Sequence, residues 1–314
     1  MALYEVPQRK DLVRISLFSG ADATSVGQVT ERVQAAAEYG FACIWFAQGF
    51  NLDAPTAIAV AGSKVPGIDI GTAVVPIQGR HPLPLAIQAL TVASAVGPGR
   101  FTLGIGVTHK MVSEGMFGVP YKSVVDLCAE ELSVLSPLLG ADRKVTFEGP
   151  TMTARASIGT DSQSPGLVVA ALGPRMLDLA GRYSDGTVTW MTGAATLRRD
   201  VVPRIVEAAG QAGRPDPRVI AGLPVCVTDD VAGARDRIGA AMAGPASMAS
   251  YRRMLDAEGV SDPVDIAILG GEDEVVSQIR AISESGATEL LANVMGTHDE
   301  QLRTRSFLGR LAGL

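Results

Sequence analysis

The chain has 314 residues, 47% hydrophobic and 19% charged, enough for one large α/β barrel or two smaller domains. Its net charge is −6, from 27 basic and 33 acidic residues with no block of Lys and Arg, which argues against nucleic acid as a partner. No apolar run reaches membrane-span length, Met1 to Asp11 is polar without a signal core, and Cys43, Cys128 and Cys226 lie far apart in apolar runs, so the expectation is a cytoplasmic protein with no membrane partner and with its cysteines packed as small hydrophobes.

Strand and helix signals alternate along the chain. Arg14 to Ser19 reads as a short strand, and Val26 to Tyr39 as a helix with apolar residues at helical spacing that stops at Gly40. Cys43 to Ala47 and Ile68 to Val75 are the next strands, followed by helices over Pro55 to Lys64 and Pro82 to Val96. Arg100 to Val107 is the fourth strand and Tyr121 to Leu139 a long fourth helix. The alternation pauses from Ala141 to Pro165, where Val145 to Phe147 and Thr151 to Thr153 suggest a small hairpin. It resumes with strand Leu167 to Leu172, helix Pro174 to Tyr183, strand Gly186 to Met191 and helix Leu197 to Ala209. Val219 to Val227 is the seventh strand, followed by helix Asp230 to Ala241. Ala246 to Glu258 and Glu272 to Ser285 read as extra helices before the eighth strand, Glu289 to Met295, and a last helix runs from Asp299 to Leu311. Ile266 to Leu269 is left unassigned. Eight strands each followed by a helix, with no linker between halves, predict a single α/β domain over residues 1–314, a (β/α)₈ TIM barrel, in preference to two doubly wound domains.

In such a barrel, chemistry sits at the C-terminal ends of the strands, which gathers Ser19, Gln48, Val75, Thr108, His109, Arg175, Met191 and Asn293 around one mouth. The set has no carboxylate pair, no metal-ligand spacing, no nucleophile elbow and no Walker loop, so no metal is expected. Gly104-Ile105-Gly106 lacks the third glycine of a dinucleotide fingerprint. A site so poor in titratable groups suggests that a cofactor supplies the reactive atom. The segment from Leu167 to Arg175 is the most informative. An apolar strand stops at Gly173, and Pro174 fits the first position of a helix whose free N–H groups, with Arg175 beside them, suit a phosphate. The same segment also fits an ordinary strand-to-helix loop. His109, at a strand end, is a candidate proton donor or acceptor, or else a surface-loop residue. The small residues of Gly71 to Pro76 either let a flat ring lie against the backbone or simply pack the core. Gln48 is a candidate hydrogen-bond partner for a cofactor ring.

These segments resemble the luciferase-like monooxygenase superfamily, and within it the coenzyme F420-dependent oxidoreductases. The resemblance rests on Phe41 to Phe50, Gly71 to Pro76, Pro98-Gly99-Arg100-Phe101-Thr102-Leu103-Gly104-Ile105-Gly106 and Ala171-Leu172-Gly173-Pro174-Arg175 with Ala180-Gly181 and Ser184-Asp185-Gly186. It implies a TIM barrel with an insertion between the fourth helix and the fifth strand, and a deazaflavin in the barrel mouth. Its phosphate would be held at Gly173, Arg175 and Met176, with Ala171, Leu172 and Pro174 also among the cofactor-binding residues. Gln48, Ala73, Val74 and Thr108 would lie along the rest of the cofactor, with a non-prolyl cis peptide at Ala73-Val74. The resemblance implies hydride transfer between the deazaflavin C5 and a small organic substrate, and a homodimer as a common assembly. Sugar-phosphate dehydrogenases of this kind carry an Asp-His pair where this chain has Gln48 and Gly49, and a glutamate where it has His109. A reductase with His109 as proton partner is therefore the expected variant. Arg175 and Lys110 are candidate partners for the cofactor's acidic tail. The alternatives are an FMN-dependent monooxygenase of the same fold and a non-catalytic barrel that only binds a cofactor or ligand.

Overall fold

A computed structural model describes residues 12–313, so the polar Met1 to Asp11 segment lies outside the described residues. Eight parallel strands close into a ring. They are β1 (Arg14–Ser19), β2 (Cys43–Phe46), β3 (Asp69–Thr72) continued by β4 (Val75–Pro76), β5 (Phe101–Gly106), β8 (Gly166–Ala170), β9 (Gly186–Trp190), β10 (Arg218–Val227) and β12 (Glu289–Val294). The ring closes where β12 pairs in parallel with β1 and β9 with β10. The expected TIM barrel is the fold. An antiparallel hairpin, β6 (Lys144–Glu148) with β7 (Thr153–Ser157), is the expected insertion.

Helices pack outside the ring, and their ends follow local chemistry. α1 (Val26–Tyr39) starts where Ser25 accepts the Gln28 N–H, buries Val29, Val33 and Ala36, and stops at Gly40, whose φ of 90° lies in the left-handed region. α2 (Ala54–Lys64) is capped by Asp53, and α3 is Pro82–Val96. α4 (Lys110–Gly115), a short helix the pattern does not announce, precedes α5 (Val124–Leu139). α6 (Pro174–Tyr183) follows β8, and α7 (Ala194–Thr196) and α8 (Val202–Gln211) follow β9, joined by a π turn at Leu197–Val201. α9 (Val231–Ala246) and α10 (Ala249–Glu258) intervene before β11 (Ile268–Gly270), α11 (Glu272–Glu284) and β12. The last helix, α12 (His298–Ala312), opens with a capping box between Thr297 and Glu300.

Two apolar layers result. One fills the space between ring and helices, with Val33, Ile58, Leu90, Leu135, Ile205 and Leu308 fully buried. The other fills the inside of the ring, where Trp45, Val168, Val188, Ile220 and Leu291 meet Phe18, Ala73, Val74 and Ala170. Beneath this inner layer a polar floor is built on Glu289. Its carboxylate accepts from Ser16 Oγ, from Trp45 Nε1 at 2.8 Å and from Arg218 Nη2 at 2.9 Å. The Arg218 guanidinium lies 5.5 Å from the Trp45 ring centre. A floor closed by paired charges leaves the opposite, C-terminal rim as the open end.

Besides the unannounced α4, the structure departs from the sequence pattern in four places. The third strand is broken at Ala73-Val74, which is a cis peptide. There the Thr72 hydroxyl stands in for ladder bonds, donating to Gly104 O (2.9 Å) and accepting from Gly104 N (2.8 Å). Gly104 is required at this crossing, because a Cβ on it would lie 1.9 Å from the Thr72 carbonyl oxygen. The second hairpin strand falls at Thr153–Ser157, not Thr151 to Thr153. Glu130 Oε2 takes the N–H groups of Thr151 and Met152 and holds both in the turn. Ile268–Gly270 forms β11 by pairing with the overhanging end of the ten-residue β10. The helix expected over Asp230 to Ala241 continues to Ala246. Cys43, Cys128 and Cys226 are all free and buried, as their apolar settings predict.

Candidate active site

The open rim holds one continuous site with two lobes. The inner lobe, 320 Å³, lies inside the ring against Phe18, Ala73, Val74, Trp190, Met248 and Leu291. The outer lobe, 890 Å³, runs from Thr108 and Tyr121 across Gly173 to Arg204 and Arg253. His109, Ala170, Val188, Trp190 and Tyr251 line both.

The broken strand shapes the inner lobe. Ala73 and Val74 step out of the ring and present their small side chains to the cavity. The glycines that looked like half a dinucleotide motif make room for them. A Cβ on Gly106 would come within 2.9 Å of Val74 Cγ2 and 2.8 Å of Ala170 Cβ.

His109 stands where β5 hands over to α4. It occupies the cap position of α4 but makes no side-chain capping bond, so its imidazole is left for the cavity. It meets Tyr251 edge-on, ring centres 5.6 Å apart. Partial burial pushes its pKa below the ordinary 6.5, because an imidazolium there would lose hydration. Burial likewise pushes the phenols of Tyr121 and Tyr251 upward. Thr108 lines the outer lobe and donates its N–H to Gln78 Oε1 at 2.9 Å.

The start of α6 opens into the outer lobe. Gly173 is its cap residue and offers no side chain, Pro174 follows, and Leu177 N–H makes the first bond, to Gly173 O at 3.0 Å. The N–H groups of Arg175 and Met176 precede that bond and have no intrahelical acceptor. A Cβ at Gly173 would meet nothing within 4 Å, so the donors face open space. Arg175 reaches Asp126 at 3.2 Å, but both side chains are largely exposed (70% and 64%) and the pair is weak. Two free N–H groups at a positive helix end with a guanidinium beside them form a donor set that fits a phosphate.

The predicted residues thus divide. Ala73, Val74, Thr108, His109, Leu172, Gly173, Pro174, Arg175 and Met176 converge on the site. Ala171 is buried beneath it. Gln48 is not brought there. Its carboxamide closes its own loop, donating to Gly49 O (2.7 Å) and Leu52 O (3.1 Å) and accepting from Ala54 N (2.8 Å), so no polar atom is left for a ring. Lys110 faces Glu114 at 3.8 Å, and Ser19, Val75, Met191 and Asn293 line neither lobe.

The far wall was not foreseen. α10 lays Ser250, Tyr251, Arg253 and Met254 over the mouth. A clasp fixes it. Glu258 accepts the N–H groups of Ala195 (3.0 Å) and Thr196 (2.8 Å) at the start of α7, and Arg199 donates to Ala257 O at 2.9 Å. The signal available was the placement of extra helices after the seventh strand, on the loop side of a barrel.

Charge is sorted between the lobes. The outer lobe carries Arg175, Arg199, Arg204 and Arg253 with Asp200 and Glu207, whereas the inner lobe has no Lys, Arg, Asp or Glu in its lining. Residues 11–289 match the luciferase-like monooxygenase family. The chain belongs to that family. It is 25% identical over 283 residues to a Mycobacterium tuberculosis protein named as a coenzyme F420-dependent oxidoreductase, a match spanning 84% of this chain and 79% of that one. It is 28% identical over 280 residues to an F420-dependent glucose-6-phosphate dehydrogenase of Beutenbergia cavernae, spanning 81% and 79% of the two chains. In fold it is similar to the F420-dependent tetrahydromethanopterin reductase of Methanopyrus kandleri, with a TM-score of 0.80 at 19% identity over 95% of this chain and 98% of that one. No helix among the described residues of this luciferase-like protein is long and apolar enough to cross a membrane.

Proposed function

We propose that this luciferase-like protein is an F420-dependent oxidoreductase that reduces a small organic substrate by hydride transfer. The observation that carries the reading is the unfilled donor set at the start of α6, opening into the same cavity as His109 and the Ala73-Val74 step. Similarity to F420-dependent oxidoreductases supports it. When bound, the deazaflavin supplies the hydride at C5, a chemistry that no side chain of the site can provide.

The residues of the chain do the rest. Arg175 and the N–H groups of Arg175 and Met176 hold the cofactor phosphate, and Thr108, Leu172, Gly173 and Pro174 shape the channel to the ring. Ala73 and Val74 back the ring, and Trp190 and Tyr251 exclude water. His109, which lines both lobes and makes no capping bond, would hold the proton delivered to the substrate oxygen. Because its pKa is lowered, the neutral imidazole predominates at neutral pH, so the reductive direction is favoured by mild acid and the reverse by mild base.

The test is parallel titration of the purified protein with F420 and with FMN, read by the distinct absorbance and fluorescence of each. F420 should saturate one site and exchange hydride with a reducible substrate. Saturation by FMN with no F420 binding would establish the monooxygenase reading, and tight F420 binding without hydride exchange the non-catalytic one.

A further inference from the structure

The division of charge between the lobes bears on the substrate. The inner lobe is walled by Phe18, Val74, Val188, Trp190, Met248 and Leu291, and by Pro245 at its edge. Its polar atoms are few. Besides Thr189, whose hydroxyl turns toward Ile220 O, the neutral groups that can meet a ligand are the His109 imidazole, the Tyr251 hydroxyl and the Trp190 indole N–H. Every charged side chain of the site sits in the outer lobe, and three of the four arginines there are held in ion pairs: Arg175 with Asp126, Arg199 with Asp200 and Arg204 with Asp178.

We infer that the reacting end of the substrate is an uncharged, predominantly apolar carbonyl compound, reduced to its alcohol, and not a phosphorylated sugar or a carboxylate. This rests on the function proposed above. An anion brought into the inner lobe loses hydration and finds no cation in return, so its binding is weakened. An apolar ring or chain gains there from burial against Trp190, Met248 and Leu291. One neutral oxygen is matched by the uncharged donors present, since a carbonyl accepts a hydrogen bond from an imidazole N–H, a phenol O–H or an indole N–H. The step balances: the carbonyl carbon gains a hydride from the reduced deazaflavin, its oxygen gains a proton from His109, and the deazaflavin leaves oxidised. With the ring backed by Ala73 and Val74, the substrate would take the remainder of the lobe beside His109, Trp190, Met248 and Tyr251, where no wall is charged.

Cyclohexanone, cyclohexanecarboxylate and a hexose phosphate are compared by calorimetric titration, on the protein with and without F420. Trp190 emission gives a second readout on the unloaded protein. The chain has two tryptophans, and Trp45 is fully buried beneath the lobe. Cyclohexanone should bind saturably, with the carboxylate weaker by about tenfold or more, since an unpaired charge costs at least that much on burial. Met248→Arg, on the half-buried lip of the lobe, should improve carboxylate binding by about tenfold relative to cyclohexanone. Equal or tighter binding of the carboxylate by the parent protein, or of the hexose phosphate by the F420-loaded protein, overturns the inference, as does a Met248→Arg protein with an unchanged ranking. The ranking needs no turnover: a preference for the ketone alongside failure to bind F420 sinks the cofactor reading and with it the reduction step, and upholds only the uncharged, apolar character of the lobe's ligand.

Discussion

Glu131 offers a quantitative test of how the scaffold beneath the site is held. It lies on the inward face of α5 beside Cys128, Leu132 and Leu135, is fully buried, and neither carboxyl oxygen has a hydrogen-bond partner. Burial alone pushes its pKa from 4.5 up to about 8. In the unfolded chain the carboxyl ionises near 4.5, whereas in the fold it keeps its proton to about 8, so across that window the folded state holds the extra proton. Stability therefore falls as pH rises through the window, by about 1.4 kcal/mol per unit. The full span of that shift sets a ceiling of about 5 kcal/mol, which relaxation of α5 and water entry would trim to a few. Glu131→Gln keeps the shape and does not titrate. Its stability relative to the parent should be flat in acid, climb between about pH 5 and pH 8, and level off above. Urea unfolding followed by circular dichroism at several pH values measures the difference directly. Parallel curves for the two proteins would refute the argument, because they would mean that Glu131 is ionised in the fold or solvated.

The other predictions concern the site itself. Arg175→Glu should weaken F420 affinity by about tenfold or more, because it removes a charge-assisted phosphate contact and sets a second carboxylate beside Asp126. Fluorescence titration measures it, and unchanged affinity removes Arg175 from the phosphate site. His109→Ala should lower turnover by about a hundredfold or more and leave cofactor affinity within about threefold. Parent reductive turnover should fall as pH rises through the lowered imidazole pKa, and the variant should lose that limb of the profile. Gly193→Ala would place a Cβ 2.3 Å from the Glu258 carboxyl carbon and push the clasp off the start of α7. Hydrogen exchange along residues 249–258 should rise by about tenfold or more, with a higher KM. Unchanged exchange would mean that α10 is held by packing alone.

The barrel was legible because a period of strand and helix needs only local pattern: apolar runs of four to six residues, caps such as Ser25, and stops such as Gly40. The start of α6 was legible for a related reason. Gly173, Pro174 and Arg175 carry backbone chemistry that does not depend on distant partners. Gln48 misled because position at a strand end says nothing about which way a side chain turns, and here three local hydrogen bonds turn it back into its loop. Tyr251 and Trp190 were invisible as site residues because the contact of Tyr251 with His109 spans 142 positions and depends on where Glu258 anchors α10. No local pattern encodes such a contact.

Gly104 and Gly106 show how the two kinds of information join. In the sequence they resemble part of a phosphate-binding turn, yet neither approaches the phosphate donors at α6. Their role is subtractive. Each lacks the Cβ that would collide with the Thr72 carbonyl or with Val74, and so permits the third strand to leave the ring at Ala73. At that break Ala73 and Val74 turn their side chains to the inner lobe, beside the layer in which Val168, Val188 and Leu291 meet. The cavity therefore exists because two residues on β5 are small enough to let β3 break, while the charges that would bind a cofactor's phosphate stand on a different strand-to-helix turn. Apolar depth and polar rim are set by separate parts of the chain. Substitution at Trp190 or Met248 can therefore reshape the inner lobe while leaving the donor set at Gly173 and Arg175 in place.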